Sequence, residues 1–438
     1  MKVLLVCHGY PPLGVAGVER LSAQTAETLV SRGHEVTVLT RRCSETPPTL
    51  ALERQTQANV PVVSIAGGGF DFERFPVHEP ALERIFERML AEVSPDVVLI
   101  THLMHHSPGY VAIAHRWGIP VILELHDFFA LCPRAHLQRR SGELCGGPEG
   151  GRACATHCFG DQRDTELRWA LRSQSFAEAL GHADEVLAPS RFVADAFAAT
   201  RGDASPIHVL DNAVAELGAV VRPEPPDPTA PLHLASIGVT VEHKGFQIVI
   251  EALRRAGLPA ARYTILGVAP QPEAGELQEA ANEVAGLELR LFGGFSPTHL
   301  PALLADADAL VVPSLVAETY SIVAREAFAC GLPVIASRIG ALPDAIRPGD
   351  NGWLFEPGDV TGLAVLLQEL DGRRDLLRRA TAGIRPDDVT SVVARTGRIE
   401  RLLKETVGRT GRDEGGGHGV ELALMRDALS GAYDSSRA

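Results

Sequence analysis

Lysine is almost missing from these 438 residues: Lys2, Lys244 and Lys404 are the only three, and every other basic side chain is arginine. Acidic residues (55) outnumber lysine plus arginine (41), for a net charge of −14. A sequence-independent nucleic-acid binder needs a basic face to neutralise phosphates, so that class is excluded. Long hydrophobic runs are missing as well; none approaches the roughly 18 residues of a membrane span. The first, from Val3 to Cys7, stops at His8-Gly9-Tyr10-Pro11-Pro12. That is too short for a signal-peptide core, and no small-residue cleavage site follows. A cytoplasmic protein without an integral membrane segment is expected. Seven cysteines, an odd number in a chain this long, make no secretory disulfide framework.

What is present is a regular alternation. Short β-branched runs at Val3–Val6, Val36–Thr40, Val60–Ile65, Val97–Thr101, Val121–Leu125, Glu185–Ala188 and Ile207–Leu210 predict strands. Helical periodicity fills the gaps at Val18–Ser31, Ala81–Glu92, Pro108–Trp117, Asp164–Leu180 and Arg191–Ala199. The proline-rich stretch Val221–Pro231 reads as a linker or surface loop. Strands then restart near Leu232–Ile237, Tyr263–Leu266, Glu288–Phe292, Ala309–Val312 and Val334–Ala336. This βαβα order predicts an α/β protein of two tandem doubly wound, Rossmann-like parallel-sheet domains. The expected boundaries are 1–212, with an insertion at 130–160, and 213–386. A terminal helix is expected over 387–408, packing back on the first domain, then a flexible tail over 409–438 that could hold a short helix at Val420–Leu429.

Three segments carry candidate chemistry. Strand one opens into a loop with Gly14 and Gly17 just ahead of a helix, where backbone N–H groups can meet an anion. It is no dinucleotide fingerprint, because Pro11 and Pro12 occupy the tight turn and the second strand ends in Thr40-Arg41-Arg42, with no acid for a ribose. A plain glycine loop explains the segment equally well. In the second half, Pro313-Ser314 is followed by Glu318-Thr319-Tyr320-Ser321-Ile322-Val323-Ala324-Arg325-Glu326. The spacing puts Glu318 just ahead of a helix start and Glu326 about two turns inside it. Such a helix N-terminus can take a phosphate, with Glu326 reaching hydroxyls; two ordinary surface glutamates are the plainer account. Lys244 lies where that domain's first loop turns into a helix, a place for a point cation on a diphosphate or for a solvated lysine.

Taken together, Gly14/Gly17, His126-Asp127, Pro189-Ser190, Lys244-Gly245, Pro313-Ser314, Glu318/Glu326 and Gly331-Leu332-Pro333-Val334 resemble the retaining GT-B glycosyltransferases of family GT4, over about residues 1–405. The resemblance implies two Rossmann-like domains with a cleft between them, and a retaining hexosyl transfer that needs no cofactor or catalytic metal. The implied partners are a UDP- or GDP-linked sugar on the second domain and an unidentified acceptor on the first. It implies Glu326 on the ribose and Lys244 on the diphosphate. Backbone around Tyr320, Ser321, Ile322 and Val323 would cradle phosphate and sugar. Glu318 would lie by the donor sugar, His126 by its hydroxymethyl side and Gly17 at the diphosphate; Glu318, Lys244 and His126 are the catalytic candidates. The family usually carries an arginine where this chain has Val239. Asp306-Ala307-Asp308 matches a metal-binding DxD in spelling only, since it ends a helix and enters a strand.

His102 and His105, with His106, follow the fourth strand and with Asp127 could line the acceptor side; a solvated histidine cluster is the alternative. Cys132, Cys145, Cys154 and Cys158 fall within 27 residues, which is compatible with structural zinc, with disulfides or with free thiols. A non-catalytic sugar-nucleotide-binding or scaffold protein on the same fold is the rival function. The arginine bias, with abundant Ala, Gly and Pro, points to GC-rich coding and weakly to a natural-product or envelope-glycan pathway.

Overall fold

The computed structural model describes residues 1–14, 16–43, 50–67, 79–160, 165–201, 206–215, 217, 230–268 and 272–413. Most of the Val221–Pro231 linker and the Val420–Leu429 segment lie outside the described residues. The chain divides into two compact units: Met1–Asp211 with the chain from Val392 onward, and Asn212–Ser391.

In the first unit the strands are β1 (Lys2–Cys7), β2 (Glu35–Arg42), β3 (Leu52–Gln57), β4 (Val60–Ala66), β5 (Val97–Ile100), β6 (Val121–Glu124), β7 (Glu185–Ala188) and β8 (Ile207–Val209). They form one sheet in the order β3-β4-β2-β1-β5-β6-β7-β8. The helices are α1 (Gly17–Ser31), α2 (Pro80–Val93), α3 (Gly109–Arg116), α4 (Arg152–His157), α5 (Thr165–His182) and α6 (Arg191–Arg201). β1, β5, β6 and β7 are short apolar runs covered on both faces, which is why their sequence reads as continuous hydrophobicity rather than alternation. β3 is the departure from an all-parallel sheet. It pairs antiparallel with β4 through a turn at Ala58 and Asn59, both at positive φ. Its sequence, LERQTQ, lies largely exposed on the sheet edge, so no apolar signal announces it.

The second unit holds β9 (Leu232–Ile237), β10 (Ala261–Leu266), β11 (Leu287–Phe292), β12 (Ala309–Val312), β13 (Val334–Ser337) and β14 (Gly352–Phe355), all parallel, in the order β11-β10-β9-β12-β13-β14. Its helices are α7 (Phe246–Ala256), α8 (Pro272–Asn282), α9 (Leu300–Leu303), α10 (Ile322–Ala329), α11 (Leu342–Ala345), α12 (Val360–Gly372) and α13 (Arg374–Ala382). Apolar clusters bury both sheet faces, one with α7 and α12, the other with α10. The Asp306/Asp308 pair holds this sheet together: Asp308 accepts hydrogen bonds from the His233 amide at 2.8 Å and from Arg374 at 2.9 Å.

The terminal helix α14 (Val392–Asp413) starts later than residue 387 and runs past Gly408. Pro386–Asp388 forms a single 3-10 turn instead, with Asp388 capping the Arg385 amide and bonding Arg347, so acids that suggest a helix start serve a turn. α14 seats Ile399 and Leu403 in the first unit's core, and Glu400 pairs with Arg32 and His34.

Candidate functional site

In both sheets the strand order reverses beside the first strand, between β1 and β5 and between β9 and β12. The carboxyl ends of the strands beside such a switch point are the usual ligand position in open parallel sheets. The sequence-predicted residues gather at these two places.

In the second unit, Glu242–Lys244 forms a single 3-10 turn after β9, and Gly245 follows with φ +69°. An added Cβ at Gly245 would stand 2.1 Å from the Pro313 carbonyl oxygen, so only glycine admits this approach to the loop after β12. The Leu315 amide donates to the His243 carbonyl at 2.9 Å and locks the two loops together. Lys244 Nζ donates to Glu318 Oε1 at 2.8 Å, and Ser314 Oγ donates to the same oxygen at 2.6 Å. Burial on its own would raise the Glu318 pKa; Lys244, then Ser314 and His243, hold it below the ordinary carboxylate value. Two residues with separate expected roles are therefore one ion pair. Val239 is 49% exposed in the same loop, and the buried Thr240 hydroxyl has no hydrogen-bond partner among the described residues.

α10 begins at Ile322, four residues beyond Glu318, so Glu326 lies about one turn inside it rather than two. The correction has a local cause. Ser321, just before the helix, takes the left-handed conformation (φ 60°, ψ 76°), which a non-glycine residue adopts only at a cost. Its hydroxyl is buried, caps no helix amide and has no partner among the described residues. Ile322 and Val323 form the first turn of α10. Tyr320 is buried with the Arg325 guanidinium 4.9 Å over its ring, and Glu326 is buried.

In the first unit, Gly17 opens α1 at the carboxyl end of β1. His8 Nε2 stands 3.2 Å from Glu19 Oε1, and the His8 ring lies 4.5 Å from that of His102. His102 Nδ1 accepts the Met104 amide at 2.9 Å, which leaves Nε2–H to donate to Asp127 at 3.1 Å. The histidines are not a solvated cluster. His102 and His106 are buried, and burial drives the pKa of His105 and His106 down to about 3, so both are neutral at pH 7. His126 is also buried, with Nε2 2.8 Å from Glu124 Oε2. His8, Glu19, Glu124, Ser314 and Arg395 carry no assigned role in the sequence reading; the contact that reveals Arg395 spans 271 residues, whereas Ser314 meets Glu318 four residues on.

Cys132, Cys145, Cys154 and Cys158 line one cavity of about 10 Å³ with Pro133 and Phe159. The Cys132 sulfur accepts backbone N–H groups of Arg134, His136 and Leu137. None of the four is in a disulfide. Among the described residues no group of three or more His, Cys, Asp or Glu is arranged to hold a metal ion.

Comparison with known proteins identifies the architecture. Residues 221–381 match the family model described as glycosyl transferases group 1, and residues 15–216 match that of glycosyltransferase family 4. The chain belongs to glycosyltransferase family 4. This glycosyltransferase is 27% identical over 402 residues to a glycogen synthase of Mycobacterium tuberculosis, covering 87% of its own length and 89% of the relative's. Its fold is that of sucrose-phosphate synthase from Thermosynechococcus elongatus (TM-score 0.66, 17% identity, 93% and 99% covered). It is also that of Anabaena HepE, solved in complex with UDP-glucose (TM-score 0.63, 17% identity, 92% and 100% covered). The glycosyltransferase has, among the described residues, no helix long and apolar enough to cross a membrane.

Proposed function

We propose that this glycosyltransferase moves a hexosyl group from a UDP- or GDP-linked sugar to an acceptor with retention of configuration. The observation that carries the reading is the grouping at the β9/β12 switch point of Lys244, Glu318 and the N-terminus of α10, with the buried, unpartnered Ser321 hydroxyl. A nucleoside diphosphate offers the anionic oxygens such a grouping accepts. Lys244 and the first amides of α10 take the diphosphate, and Glu326 the ribose hydroxyls. The first unit supplies the acceptor side through His102, His105 and Asp127, with Gly17 toward the diphosphate and His126 beside the donor sugar. The donor C1–O bond to phosphate breaks as the acceptor's nucleophilic atom bonds to C1 on the same face. The acceptor proton passes to the leaving phosphate oxygen, so no protein base is assigned. The anomeric C1–O to phosphate bond carries the driving force, and the reading gives no divalent ion a part in it.

A thermal-shift panel of nucleoside diphosphates tests this reading. A true ligand at 100 times its Kd stabilises the fold by about 2.7 kcal/mol. No shift with any nucleoside diphosphate refutes it.

Glu326 gives a finer test. Glu326→Ala is expected to weaken nucleotide binding by about 1.5–3 kcal/mol, the range for hydrogen bonds to a charged group, while pyrophosphate binds both forms equally. Parallel weakening of nucleotide and pyrophosphate would remove the ribose assignment.

For the cysteine insertion we propose a structural zinc site. The shared cavity supports it, and three backbone amides on Cys132 offset part of the burial that raises its pKa. Metal binding would have to draw the sulfurs closer than they stand. Purified protein is expected to carry about one zinc per chain, and chelation should loosen residues 130–160 without changing nucleotide binding. Metal-free protein with four titratable thiols there would overturn this.

A further inference from the structure

Glu124 ends β6 with its side chain buried. Its Oε2 is shared: His126 Nε2 lies 2.8 Å away, and the Arg395 guanidinium donates to the same oxygen from the other side. Arg395 stands in the first turn of α14, four residues after the second unit ends at Ser391. It is 2% exposed, and its remaining contact is to Thr25 Oγ1 of α1 at 3.3 Å. A strand end, the residue two places beyond it and a helix 271 residues away thus meet on one carboxylate oxygen.

Packing alone does not ask for this arrangement. α14 is already anchored by Ile399 and Leu403 in the core and by Glu400 on Arg32 and His34. A buried ion pair can often be exchanged for apolar side chains of similar volume with little loss, or even a gain, of stability. What an apolar replacement could not do is hold an ionised carboxylate against His126. Burial by itself raises the Glu124 pKa; Arg395 first, then His126, bring it down to about 2. With Arg395 supplying the counter-charge, the carboxylate oxygen keeps a fixed position 2.8 Å from His126 Nε2.

We propose that Arg395 is a positioning residue: acting through Glu124, it fixes the ring of His126 at the carboxyl end of β6. This rests on the reading of His126 as the residue beside the donor sugar. The other groups facing this place are His102 from the loop after β5 and Asp127 from the loop after β6, which pair with each other, and Thr25 from α1. With Arg395 gone, the buried carboxylate loses the guanidinium that ionises it and fixes its oxygen against His126, so its pKa rises.

The test compares full-length Arg395→Met, Arg395→Lys, Glu124→Gln and His126→Ala for transfer kinetics, nucleoside-diphosphate binding and pH profile. Arg395→Met should lower kcat on the order of 10²-fold, the scale of misplacing a group at the reaction centre by about 1 Å. Nucleotide binding should hold, and Arg395→Lys should restore part of the loss. The sign of the pH effect follows from Glu124: burial without Arg395 raises its pKa, so kcat of Arg395→Met should climb with rising pH as the carboxylate forms. Combining Arg395→Met with His126→Ala should cost no more than His126→Ala alone, because both act through one ring. If Arg395→Met does not fold, Arg395→Met/Glu124→Gln removes both charges together, and the same loss of kcat is expected from it. Normal kcat in Arg395→Met, or in that double variant, alongside a crippled His126→Ala would overturn the Arg395 proposal and leave the His126 reading standing. Normal kcat in His126→Ala would overturn the His126 reading itself.

Discussion

Lys244→Ala is expected to lower kcat by about 10²–10³, the scale of removing one preorganised donor from a developing charge, with a smaller change in nucleotide affinity. The leaving diphosphate gains negative charge as the C1–O bond breaks, so a cation aimed at it acts mainly on the transition state. In the structure that cation is engaged with Glu318 at 2.8 Å. Diphosphate must therefore share Nζ with Glu318 or draw it away. Truncation leaves the largely buried Glu318 carboxylate with Ser314 as its remaining close donor, so its pKa should rise and some stability should be lost. Thermal melting without ligand separates that loss from the kinetic one. Lys244→Arg should rescue in part, because a planar guanidinium places its donors differently from a compact ammonium. Val239 is half-exposed, which leaves room for the arginine that the family resemblance leads one to expect there. Val239→Arg should thus recover part of the loss in the Lys244→Ala background. Near-normal turnover in Lys244→Ala would move the diphosphate elsewhere.

The fold was legible where burial is two-sided. VLLV in β1, VVLI in β5 and ALVV in β12 read as strands because a central parallel strand is apolar on both faces. LERQTQ in β3 is polar, exposed and pinned only by its hairpin partner, so nothing in its composition sets it apart from a loop. β14 begins with Gly352, whose close approach to the Val334 backbone is a tertiary fact rather than a local one. The site divides in the same way. Lys244 and Glu318 stand out by position along the chain, yet 74 residues separate them, and their ion pair exists only because β9 and β12 are neighbours. The Glu124–Arg395 contact spans 271 residues and leaves no local pattern. Ser321 is the case where a regular reading misplaces a helix: periodicity extends back toward Glu318, while the backbone spends a left-handed residue to start the helix at Ile322.

Gly245→Ala is expected to impair both folding stability and turnover, and Gly257→Ala supplies its control. Both glycines are left-handed, at φ +69° and +59°, and they flank the two ends of α7. Each substitution therefore carries the same backbone penalty, about 1–2 kcal/mol for a side chain in that conformation. They differ in what the new methyl meets. At Gly257 nothing lies within 4 Å, whereas at Gly245 the Pro313 carbonyl oxygen is 2.1 Å away and its carbon 3.2 Å. Neither neighbour is a flexible side chain, so the loop carrying Lys244 must back away from the loop after β12. That movement strains the Leu315–His243 hydrogen bond and shifts Lys244 relative to Glu318. A displacement near 1 Å at a charge-stabilising group is worth about 10²-fold in rate. Gly257→Ala should then lose only the backbone penalty and keep wild-type kcat, while Gly245→Ala should lose more stability and most of its turnover. Equal melting temperatures and equal kcat in the two variants would mean the loops tolerate separation, and that the placement of Lys244 does not depend on their contact.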